Sequence, residues 1–63
     1  MTLDEAREVI APQVQLQGPY SHNILSILLR KAAKEHGYRA ADALVDEFEL
    51  TALFGIPKRG NRP

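Results

Sequence analysis

A hydroxyl beside an imidazole is the first place to look for chemistry, and this chain offers one such pair, Ser21 and His22. A serine nucleophile needs its base within hydrogen-bond reach and a third group to orient that base. Adjacent residues on a helix point in different directions, so Ser21 and His22 do not face each other, and no orienting group is evident. Asp46 and Glu47 are also sequence neighbours and diverge in the same way, which disqualifies them as an acid/base pair. The start of the helix at Ser21 has free N–H groups that suit an anion, but capping explains the same residues. With no cysteine, and with His22 and His36 as the only histidines, no zinc site is expected. These residues predict a protein that is not an enzyme and needs no metal or cofactor.

Nucleic-acid binding is the next chemistry to weigh. Ala33, Gly37 and Tyr38 are spaced like the small residue, turn glycine and apolar residue of a helix-turn-helix. The helix after that corner offers Arg39 and then Asp42, Asp46, Glu47 and Glu49. Carboxylates repel phosphates and cannot donate hydrogen bonds when ionised, so this helix is ill suited to a major groove. Eight basic residues are balanced by eight acidic ones, whereas nucleic-acid affinity rests on positive excess. A helix-turn-helix regulator using Lys34, Arg39 and the basic tail is the alternative reading.

Three helices must position these groups. The first, over 2–10, opens with a capping box formed by Thr2 and Glu5. Leu3, Ala6, Val9 and Ile10 form its apolar stripe, and Pro12 is expected to end it. Val14 and Leu16 alternate with glutamines, so a short extended segment is expected before the Gly18–Pro19 turn. The second helix, 21–36, takes Ser21 as N-cap, Tyr20 stapled on Leu25, and Gly37 as its stop. The third, 39–49, carries the stripe Ala41, Leu44, Val45 and Phe48, followed by a short turn closed by Gly55 and Pro57. The expected fold is therefore all-α, a small three-helix domain over 1–57 with a short C-terminal helical turn and a flexible basic tail, 58–63.

Apolar runs such as Ile27–Leu29 fall far short of the roughly 20 residues a membrane span needs. The acidic opening lacks the basic start of a signal peptide. A cytoplasmic protein without membrane contact is expected.

Two surfaces suggest a protein partner. The second helix is apolar over roughly 240°, well beyond the 100° of a surface helix. Either it is sandwiched between its neighbours or it also packs on another chain, most simply in a homodimer. On the second option Leu25, Leu28 and Leu29 supply the contact area, with Tyr20 and His22 at its flank. The third helix supplies an acidic face of Asp42, Asp46, Glu47 and Glu49 that would set partner choice.

Residues 20–56 resemble short orphan proteins of phage and prophage genomes. The shared features are Ser21, His22 and Asn23 at a helix start, Leu29 and Arg30 within that helix, and a glycine corner at Gly37 before an acidic helix. The resemblance carries no fixed activity. It implies a setting in which very small proteins inhibit or modulate host proteins, defence systems included, by stoichiometric binding.

Overall fold

The computed structural model describes residues 1–58. Among these, four helices follow one another and no strand forms: α1 (Leu3–Leu16), α2 (Ser21–His36), α3 (Tyr38–Glu47) and α4 (Leu50–Phe54). The all-α expectation is met. Of the expected tail, only Lys58 is described, and its ammonium lies 3.2 Å from the Asp46 carboxylate. Residues 59–63 lie outside the described part.

α1 begins with the expected capping box. The Thr2 hydroxyl accepts from the Glu5 N–H at 3.0 Å, and the Glu5 carboxylate accepts from the Thr2 N–H at 2.7 Å. The bond from the Thr2 N–H, and after it the Thr2 side chain, favour the ionised acid and hold the Glu5 pKa below its ordinary value.

Pro12 does not end α1, and residues 14–16 are helical rather than extended. Proline removes one intrahelical bond, the one to the Glu8 carbonyl. Both Pro12 and Glu8 face solvent, so water can replace that bond. The gain lies on the other face, where Leu3, Ala6, Ile10 and Val14 make one stripe that runs straight past the proline into the core. Val9 falls outside that stripe and stays 40% exposed. α1 stops at Gln17, which adopts a left-handed conformation.

Ser21 does not cap its own helix. It is buried, and its hydroxyl accepts from the Gly18 N–H at 2.9 Å while donating to Gln13 Oε1 at 3.0 Å. The serine therefore ties the turn to the end of α1. Tyr20 is not stapled on Leu25 either, for Leu25 is fully buried while Tyr20 is 71% exposed.

α2 lies between α1 and α3. Its stripe Leu25, Leu28, Leu29 and Ala32 joins Ile10, Leu44, Val45 and Leu50 in one core. Gly37 is the whole connection between α2 and α3, at φ 91° and ψ 161°, a region essentially confined to glycine. The sharp reversal there lays α3 back along α2.

The third helix is shorter than expected. It ends at Glu47, and Glu49 takes a left-handed conformation that starts α4. α4 ends in a Schellman motif: the Ile56 N–H reaches the Leu50 carbonyl, and the Gly55 N–H reaches that of Thr51. The motif folds Ile56 back into the core beside Leu50.

Candidate functional site

The helix packing leaves a groove of about 420 Å³ between α2 and α3. Its floor is made by Leu29, Ala33, Ala41 and Val45, and Ile56 and Pro57 line it as well. The groove exists because the α2–α3 crossing meets at alanines. Ala33 and Ala41 have too little side chain to fill the space above them, so the apolar floor is only partly covered. Its volume falls in the range of small binding sites.

The walls differ in charge. On α2, His22, Ser26, Arg30 and Lys34 recur at i, i+4, i+8 and i+12, so they line one edge over about 18 Å. The side chains of Arg30 and Lys34 form no hydrogen bond or ion pair among the described residues. On α3, Tyr38 and Asp42 form the facing wall, with Asp42 half-buried. The groove thus presents apolar surface between a cationic edge and an acidic one.

The acidic residues of the third helix do not act as one face. Glu47 turns toward α1, where Arg7 Nε lies 3.1 and 3.0 Å from its two carboxylate oxygens. Arg7 Nη1 also donates to Asp4 at 2.9 Å. Glu47 first, and Asp4 after it, push the Arg7 pKa above its ordinary value. Asp46 pairs with Lys58, Asp42 faces the groove, and Glu49 sits exposed in the turn before α4. Only Asp42 of the four reaches the groove.

Leu25, Leu28 and Leu29 are no more than 7% exposed, so they are core residues, and of the three only Leu29 reaches the groove floor. The first of the two explanations for the wide arc of α2 holds for them: they are covered by α1 and α3. What the arc leaves outside is Ile24 at 37% and Ile27 at 64% exposure, with Tyr20 on the same side. His22 is exposed at the groove edge, on the other flank of α2 from Tyr20.

Ala33 and Lys34 were singled out only for the helix-turn-helix reading, and the groove they share with Arg30 and Ala41 was not legible, because a groove depends on how two helices cross. Ile24 and Ile27 were legible in principle. Leu25, Leu28, Leu29 and Ala32 alone complete an i, i+3, i+4, i+7 stripe, which leaves the isoleucines as surplus.

Ser21 and His22 do not form a catalytic pair, since the serine hydroxyl is engaged with Gly18 and Gln13 while the imidazole stands in solvent. Among the described residues no cluster of His, Cys, Asp and Glu is placed to hold a metal ion. No described helix is long and apolar enough to cross a membrane. Compared with known proteins, the chain matches no family model, no curated protein and no solved structure.

Proposed function

We propose that the protein is a small, non-enzymatic protein-binding modulator that holds a segment of a partner protein in the α2–α3 groove. One observation carries the reading: an apolar floor of unfilled volume lies beside two cations, Arg30 and Lys34, that have no ion pair among the described residues. A partner segment with apolar anchors and carboxylates along one edge matches that surface. Its apolar side chains displace water from the groove around Ala33, and its carboxylates meet Arg30 and Lys34. Charge complementarity of this kind selects partners and speeds encounter.

The resemblance to short phage and prophage proteins supports a host protein as that partner, with inhibition by stoichiometric binding in the cytoplasm. The helix-turn-helix reading has less support. Such motifs join their helices by a three- or four-residue turn, whereas a single residue joins α2 to α3. The acidic side chains of α3 also oppose phosphate contact.

The test is a pull-down from host lysate with the wild type and an Arg30→Glu/Lys34→Glu variant. Both side chains are exposed, so the variant should keep its fold. The reading expects a partner retained by the wild type and lost by the variant, with a salt-sensitive complex. Retention unchanged by the double reversal would sink it.

A further inference from the structure

The outer flank of α2, turned away from the groove, carries Tyr20, Ile24, Ile27 and Lys31 at i, i+4, i+7 and i+11, one continuous stripe. α1 runs antiparallel beside it. The two helices are pinned at one end by the Met1 amino group on Glu35 at 3.2 Å and by His36 Nε2 on the Met1 carbonyl at 2.7 Å. At the other end Ser21 holds Gln13. This register sets Val9, 40% exposed, alongside Ile24 and Ile27. In a chain this small, three exposed β-branched side chains gathered on one layer leave an apolar face that no described residue covers.

We infer that this face is covered by a second copy of the chain, through a two-fold axis that crosses α2 between Ile24 and Ile27. The stripe is self-complementary about that point. With two α2 helices antiparallel, Ile24 packs on Ile27 of the second copy, and Tyr20 lies under Lys31 of the second copy. The aromatic face then receives the lysine stem and its ammonium. A parallel pairing would set Lys31 against Lys31, a repulsion that the antiparallel pairing avoids. Charge therefore favours the antiparallel direction.

The size is sufficient. α2 is about 24 Å long, and with α1 beside it the layer is two helices wide. That footprint accommodates the roughly 600 Å² per copy found at the lower end of specific interfaces. Two such layers face to face make a four-helix arrangement. The groove between α2 and α3 stays open on each outer side, so each dimer presents two grooves.

Light scattering over a concentration series tests the association, and cysteine cross-linking tests the register. The wild type should reach twice the 7.0 kDa chain mass. Ile27→Asp, at a largely exposed position, should keep the helical signal and halve the mass. The chain has no native cysteine. Ile24→Cys mixed with Ile27→Cys should oxidise to a disulfide-linked heterodimer faster than either variant alone. A wild type that stays at 7.0 kDa to millimolar concentration, or an Ile27→Asp protein that still doubles, overturns the dimer. Faster cross-linking of Ile24→Cys with itself overturns the antiparallel register. None of these outcomes involves Arg30 or Lys34, so the groove reading stands or falls separately.

Discussion

The two flanks of α2 are built from the same helix and yet differ in kind. The flank toward α3 places long polar side chains, Arg30 and Lys34, over a floor thinned by alanines. The opposite flank, with Tyr20, Ile24 and Ile27 and Lys31 as its one charge, has β-branched residues standing in solvent. Cavity with charged edges suits recognition of a particular segment. A flat apolar stripe suits burial against a like surface. Between them runs the stripe of Leu25, Leu28, Leu29 and Ala32, which belongs to neither surface and holds both in place. A helix apolar over a wide arc can therefore be three things at once, and only neighbour packing says which residues serve which role.

The comparison breaks most completely when that shared stripe is damaged. Leu25 is fully buried, and Leu25→Ala should cost about 2–5 kcal/mol through lost burial and a residual cavity. A domain this small has about 3–9 kcal/mol in total. Thermal denaturation followed by circular dichroism should show a large fall in Tm, with groove binding and self-association lost together.

A smaller effect is expected at the α1–α2 corner. Ser21→Ala leaves the Gly18 N–H without its acceptor and frees Gln13, a loss of about 1–3 kcal/mol. Because Ser21 sets the register of α1 against α2, dimer mass should suffer more than groove binding. Parallel measurement of Tm and solution mass checks that ordering.

The smallest effect concerns the far end of α1. The folded state holds the Glu5 pKa below its ordinary value. A depressed carboxylate contributes stability that is fully present above its unfolded pKa and fades as pH falls through the folded one. Acidification to about pH 3, below the ordinary carboxylate range, should lower the wild-type Tm slightly more than that of Glu5→Gln. An equal fall in both would remove Glu5 from the account of acid sensitivity.

Much of the fold could be read from the residues alone. The Thr2–Glu5 box, the stop at Gly37 and the stripe through Ala41, Leu44 and Val45 are local signals, and the structure has all three. The reading erred at Pro12, where a local rule met a longer-range gain: burial of Val14 beside Ile10 outweighs one bond lost to water. It erred again at Ser21, whose hydroxyl found a partner eight residues back in Gln13 rather than the N–H groups of its own helix. Leu25, Leu28 and Leu29 were expected at a contact surface and lie in the core instead. Leu25, Leu28 and Leu29 had to be assigned either to the core or to a partner, and only the positions of α1 and α3 decide that.

The most direct test of the division between the flanks is to fill one and charge the other, and to follow partner retention in both. Ala33→Phe places a ring in the groove, while Ile27→Asp leaves the groove untouched. The expected result is a partner lost by the folded Ala33→Phe protein and still held by Ile27→Asp. A partner that stays on Ala33→Phe and leaves Ile27→Asp would contradict the account, and would move recognition to the outer flank of α2.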